Sequence, residues 1–590
     1  MIRIKFKWFL VTALGLLFFR LFTSLNADPK FELTLELKGD TIIENSVEMQ
    51  FQINPWDEVD GIELIVSSEC FHEPSLEGNM FLPQGEKNNF KLLPFQRTKD
   101  LSRTRQSFRL ERVKASKKPT NARLIYRSPL PEAALDYPIQ VNLFKGPNLS
   151  TSKIFNLKVK PGPTVHVLCD WIESKSAPKI KCLGLDRKGN HATDAIQISG
   201  SFLPEEPPKE YSFTNGIIIP PEQPLKPYTR FYYRFQEKTL QSSALPNPEK
   251  PIFFGDLHTH SSFSDSRVPA KPRDLLTYAR ESSLLDFVAI TDHAEGVFGE
   301  PLTHEEFKAT ANTLAEFNSP GKFTTFLGFE WTSTFYDETS PYGHRTIIYP
   351  QLVGLPYRSD QEITDTPEKL YSKTGKVFAF PHHTMISWGS FNFEKPIIAE
   401  FEKGIEIYSA HGTSEELDRN GRMREQIMEG SIRRGIARQY PFRIMASSDT
   451  HGAHPGLNDW PGVTPGMLDG GGLIAVFSTI NKREQVFEAL NLQEFYGTSG
   501  TRILLEPASW NCLFPIHIYG THQLQEAEVI EFIPGEESRT VTYPLEGLES
   551  TLEHSIENKV FAYYLRVTQI DGERAWMGPV YTNSLQTPDF

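Results

Sequence analysis

Residues 255–265 read GDLHTHSSFSD, two histidines one residue apart with aspartates before and after them. Imidazole and carboxylate groups placed together suit either proton transfer or the ligation of a divalent cation. Taken alone, an HxH pair is as readily a hydrogen-bonded loop pair. The middle of the chain, however, repeats the pattern. Asp256, His258 and His260 follow the apolar run PIFFG, Asp292 and His293 follow LDFVAIT, and Glu330 follows FTTFLGF. His382 and His383 follow KVFAFP, His411 follows GIEIYSA, and Asp449 and His451 follow FRIMASS. Buried carboxylates and imidazoles without partners are costly, and divalent cations satisfy both at once. Around nine such ligands exceed the four that one tetrahedral ion uses, so two or three ions of Zn, Mn or Fe are expected.

The elements that must position these residues are read from pattern. From 28 to 245 short runs such as FELTLEL, SVEMQFQI and TVHVLCDW alternate apolar and polar residues between turn residues, which predicts one or two β-sandwich domains. The polar, proline-rich QSSALPNPEKP is a linker. From 250 to 501 apolar runs of strand length alternate with helical stretches, among them RDLLTYARESS, THEEFKATANTLAEFN and SEELDRNGRMREQIMEGSIRRGIA. That alternation predicts an α/β layer or barrel with parallel strands, whose carboxyl ends converge on one face. Strands return over 502–590 as a C-terminal β-rich segment.

The order HxH, S-D, T-D-H after an apolar run, a lone Glu, two separate His and finally S-D-x-H resembles the PHP domain, named for polymerases and histidinol phosphatase. The phrases GFEWT, GHRTIIY, PHHT, SAHGTSE, SSDTHGAHPG and EFYGTSGTRI resemble a branch of exported bacterial proteins that flank this domain with β-rich segments. The resemblance covers about 250 residues and implies a distorted (β/α)7, TIM-like barrel carrying a trinuclear metal centre, in many members a phosphoesterase. Carried over, His258, His260, Glu330 and Asp449 would hold one ion, Glu330 would bridge to a second completed by His344 and His382, and Asp265, His293 and His451 would hold a third. Whether His382 or its neighbour His383 is the ligand stays open.

Such a centre lowers the pKa of bound water, so hydroxide attacks a phosphate mono- or diester without a covalent intermediate. Glu330 and Asp449 are then the catalytic carboxylates, with Arg345, and Arg267 near Asp265, as clamps for phosphate oxygens. Asp256 reads as a turn former behind the site. His411, with Ser414 and Glu415, is either a substrate contact or a helix start, and His454 a loop residue. Trp331 and Trp388 line a pocket or pack, and GTSG at 497–500 is a weak phosphate cradle. Two other readings stand beside the phosphoesterase: a metallohydrolase acting on another ester or an amide, and a non-enzymatic envelope or surface binding protein with a metal-stabilised barrel.

With 590 residues and a net charge of −13, the chain exceeds one core and lacks the basic balance that nucleic acid attracts. Residues 1–27, basic then apolar then small and polar, read as a signal peptide or an uncleaved anchor, which places the protein in the periplasm or outside the cell and on a membrane only if the segment is retained. Four cysteines are too few for a disulfide scaffold. Cys169 and Cys182, in neighbouring extended stretches, are either bridged or two half-buried thiols.

Overall fold

Alternating apolar and polar residues make strands of most of the N-terminal third, as the pattern requires. A computed structural model describes residues 31–582 except 44, 68–74, 77, 94–95, 98–104, 116–121, 174–176, 222–224, 297–299, 334–341, 388, 394–396, 418–425 and 458–470. The segment 1–27, Cys70 and Trp388 therefore lie outside the described residues. The described residues form two compact units, one drawn from 31–97, 105–131 and 136–160, the other from 132–135 and 161–582.

The first unit holds a four-stranded and a six-stranded antiparallel sheet. Phe51 of the first sheet and Phe155 of the second stand 6.1 Å apart, ring to ring. The second unit begins with a three-stranded and a four-stranded sheet over 166–241, packed around Trp171, Phe202 and Phe231. Cys169 and Cys182 are opposite each other in the first of these and are joined by a disulfide.

The rest of the second unit carries the polar residues. Its strands and helices include β1 (Ile252–Asp256), α1 (Pro272–Glu281), β2 (Phe287–Ile290), α2 (His304–Phe317), β3 (Thr324–Thr332), β4 (His344–Ile348), α3 (Pro367–Thr374) and β5 (Phe378–Pro381). There follow β6 (Gly404–Ser409), α4 (Ile432–Ala437), β7 (Arg443–Ala446), β8 (Leu473–Phe477), α5 (Arg483–Asn491) and β9 (Phe495–Thr498). Four long strands close the chain: β10 (Leu524–Phe532), β11 (Arg539–Pro544), β12 (Ala562–Gln569) and β13 (Arg574–Tyr581). β1 to β5 are buried at every position, which is why they read as unbroken apolar runs. Thr303 caps α2 reciprocally with Glu306, and Phe307 of that helix meets Phe329 of β3 at 6.3 Å.

The expected TIM-like (β/α)7 barrel is not what forms. One open sheet of eleven strands runs in the order β5-β4-β3-β2-β1-β8-β9-β13-β12-β10-β11, while β6 and β7 belong to a separate three-stranded sheet. Within the long sheet only β1–β2 and β2–β3 run parallel. The other neighbours are antiparallel. The β-α-β-α-β start agrees with the pattern, but β4 pairs antiparallel with β3, His344 opposite Thr332, where a crossover would bring it back parallel. A parallel barrel needs such a crossover at each step. The sheet instead continues into the C-terminal strands, so the protein is β-rich with five α-helices among the described residues.

Candidate metal centre

The reversal at β4 explains how the site is assembled. His258 and His260 follow the end of β1, Asp292 and His293 that of β2, and Glu330 lies near the end of β3. β4 runs the other way and brings in His344 as its first residue, beside that same end of β3. β5 reverses again and is followed by His382. Asp449 and His451 follow β7 and reach the cluster through short backbone bonds: Asp449 N donates to His258 O at 2.9 Å and His260 N to Thr450 O at 3.0 Å. Asp449 and His383 both have positive φ, 52° and 32°, a conformation costly for residues with a Cβ and concentrated at functional sites.

The nine sequence-predicted ligands come together. His258 Nε2 lies 3.1 Å from Glu330 Oε2 and 3.3 Å from Asp449 Oδ1. His260 Nε2 lies 3.3 and 3.1 Å from the same two oxygens. The other oxygen of Glu330, Oε1, faces His344 Nδ1 at 2.6 Å, His382 Nε2 at 3.0 Å and His293 Nδ1 at 3.4 Å. Asp265 Oδ2 meets His451 Nε2 at 3.0 Å and His293 Nε2 at 3.4 Å. Three groups of donor atoms close enough to share an ion result: His258, His260 and Glu330; Glu330, His344, His382 and His383; and His260, Asp265, His293 and His451. Both His382 and His383 fall in the second group.

The electrostatics fit cations. Burial would raise the Glu330 carboxyl, yet His293, His382, His258 and His260 hold it well below the usual range. Burial acts the same way on Asp265, and His451, His293 and His260 overcome it; His258, His411 and His260 do so for Asp449. Burial alone would lower the His258 imidazole, but Asp449, Glu330 and Glu406 push it up to about 10. His382 is lowered to about 3, first by burial and then by the charge of His258. The site thus keeps ionised carboxylates among imidazoles that cannot all be protonated, a donor set suited to Zn, Mn or Fe.

Other expectations land elsewhere. Arg345 does not point toward the centre. Neighbouring residues of a strand face opposite ways, so with His344 turned to Glu330, Arg345 is buried against Glu402, with Tyr371 Oη on the same carboxylate at 2.9 Å. Arg267 is half-buried, and its backbone N–H donates to His451 O at 2.7 Å. Asp256 accepts from the backbone of Ser448, Gly456 and His258 and pins the loops behind the ligands. His411 Nε2 lies 3.0 Å from Asp449 Oδ2, and no helix starts beside it; Gly412–Thr413 is a short strand instead. Glu415 is buried against Tyr564, Trp576, Arg433 and Arg566. His454 packs on Tyr278 and bonds Asn190. Trp331 is buried and donates to Thr364 O at 2.9 Å. In GTSG, Ser499 is bonded to Glu573 and Arg574. The pattern missed Glu406, buried within β6 with Oε2 3.1 Å from His258 Nδ1. A single Glu inside the apolar run GIEIYS was its only signal.

The family model that matches is "Protein of unknown function (DUF3604)", over residues 297–400 and 462–511, a part that includes Glu330, His344 and His382. The open sheet overturns the expectation of a PHP-type, TIM-like barrel. An uncharacterised protein of Chlamydia pneumoniae is 26% identical over 400 residues, 60% of this chain and 62% of that protein. Uncharacterised proteins of Chlamydia muridarum and Chlamydia trachomatis serovar D are each 25% identical, over 56% of this chain and 57% of their own lengths. The chain thus spans less than two thirds of the relatives it matches. Among solved structures, a segment of two fibronectin type-III domains from chicken tenascin matches at 12% identity, over 37% of this chain and 93% of that one, with a TM-score of 0.14. A DUF4466 family protein from Parabacteroides merdae matches at 13%, over 35% and 66%, also at 0.14. Neither likeness carries an argument at that score.

Proposed function

We propose that the protein is a metal-dependent hydrolase with a multinuclear centre, acting on a phosphate ester. The observation that carries this reading is the position of Glu330: its two oxygens face different histidines, Oε2 toward His258 and His260 and Oε1 toward His344 and His382. A buried carboxylate divided in this way is suited to bridging two cations, and a purely structural hydrogen-bond network has no need of so many imidazoles around it. Asp265, His293 and His451 offer a place for a third ion.

Divalent ions bound there would supply activation of water and stabilisation of the negative charge that builds up on a phosphoryl group. The chain's own residues do the rest. Asp449 presents Oδ1 to the first group and Oδ2 to His411, so its orientation is fixed from two sides. His293, His451 and Asp265 are slightly more exposed than His258 and His382 and mark the open side of the cluster. The N-terminal segment supports export as an expectation of sequence, and among the described residues no helix is long and apolar enough to cross a membrane.

The test is a panel of phosphate monoesters, phosphate diesters and carboxylic esters assayed with and without chelator. Chelator-sensitive turnover of a phosphate ester supports the proposal. Turnover of acyl esters alone would move the chemistry to another bond, and turnover insensitive to chelator would refute a metal role.

A further inference from the structure

Several histidines of the centre have their second ring nitrogen on a partner, and the partners differ in kind. Thr332 Oγ1 lies 2.6 Å from His293 Nδ1, Thr346 Oγ1 3.2 Å from His382 Nδ1, and the Asp449 carbonyl 2.9 Å from His451 Nδ1. His258 is different: its Nδ1 faces a carboxylate, Glu406 Oε2 at 3.1 Å, that belongs to none of the three donor groups. Glu406 is 1% exposed on a strand whose other side chains are apolar before its last residues. Ser447 Oγ donates to the same Oε2, and Oε1 has no hydrogen-bond partner among the described residues. Burying a carboxylate so incompletely satisfied destabilises the fold unless it serves its neighbour.

We propose that Glu406 is a positioning residue for the metal centre, holding His258 in the tautomer protonated at Nδ1 so that Nε2 is the donor turned to the ion. The inference rests on the metal reading above. A carboxylate behind a ligand imidazole fixes the ring and strengthens the ligating nitrogen, and its loss typically costs about 10- to 100-fold in metal affinity. His258 Nε2 faces Glu330 Oε2 and Asp449 Oδ1, so the effect falls on the ion of that group. The groups around Asp265 and His344 keep their own partners.

The experiment compares the full-length wild type with Glu406→Gln and Glu406→Leu by titrating Zn²⁺ against a chelating indicator, with Co²⁺ absorption as a second readout. Gln keeps an oxygen that accepts from Nδ1–H and loses the charge; Leu removes both. The expected result is one zinc equivalent weakened about tenfold in the Gln variant and about a hundredfold in the Leu variant, the others changed by less than about twofold. If the Leu variant fails to fold, the Gln variant decides. Zinc isotherms identical to wild type in a natively folded Gln variant overturn the role, as does equal weakening of every equivalent. A wild type that takes up no zinc overturns this inference and the metal reading together.

Discussion

Glu330 meets imidazoles on both of its oxygens, so it is the side chain whose loss should disturb more than one ion. Glu330→Gln replaces one oxygen by a donor that cannot ligate. We expect it to lower the metal content by at least one equivalent and hydrolysis by about a hundredfold or more, since even residues behind the ligands are worth about 10- to 100-fold. Elemental analysis and steady-state rates on a variant with wild-type circular dichroism check this. Arg345 predicts the opposite profile. Its guanidinium is buried with Glu402 and Tyr371, so Arg345→Met should destabilise the fold by about 3–5 kcal/mol in urea unfolding while leaving the metal content unchanged. At this scale the clustering of the candidate ligands was legible because a His, Asp or Glu ending a buried apolar run has to be compensated by something. Arg345 was misread because adjacency in sequence means opposite faces in a strand, and Glu406 was hidden because a single Glu in an apolar run looks like an exposed edge.

Between elements, Glu415 ties the loop after β6 to the C-terminal strands. Its carboxylate accepts from Tyr564 Oη, Trp576 Nε1 at 3.0 Å and Arg566 Nη1 at 2.8 Å, and pairs with Arg433. Burial would raise its pKa, but Arg566 and Arg433 with the Tyr564 hydroxyl hold it below the usual carboxylate range. A depressed carboxyl contributes stability that is present above its unfolded pKa and is lost as pH falls through the folded value. Glu415→Gln should therefore cost about 3 kcal/mol at pH 7, with the gap to wild type narrowing below pH about 4.5. Denaturant unfolding across that range tests it; a gap independent of pH would contradict the ion-pair account. The β1-α1-β2-α2-β3 start was legible because strand and helix periods alternate there. The antiparallel return of β4 was not, because composition does not encode the direction in which a strand pairs. The long helical reading across SEELDRNGRMREQIMEGSIRRGIA yields only α4 as α-helix among the described residues.

For the whole molecule, the chain has many carboxylates, a net charge of −13, and a buried cluster that cations would neutralise. Any ion that binds only the folded state stabilises it, by about 2.7 kcal/mol per site when the free ion stands a hundredfold above its Kd. Chelation should lower the unfolding midpoint and metal should restore it, as scanning calorimetry can follow. The Cys169–Cys182 bridge, 13 residues apart, acts independently of the centre, so reduction should cost about 3 kcal/mol without releasing metal. The organisation into β-rich parts around a polar cluster was readable from pattern, whereas the joining of β9 to β13, which carries one sheet into the C-terminal strands, depends on pairing between distant residues that periodicity does not specify. The central claim is that these carboxylates and histidines hold several ions at once. Elemental analysis of protein purified without added metal or chelator tests it most directly: we predict two to three equivalents of Zn, Mn or Fe per chain, and metal that stays near zero even after soaking would contradict it.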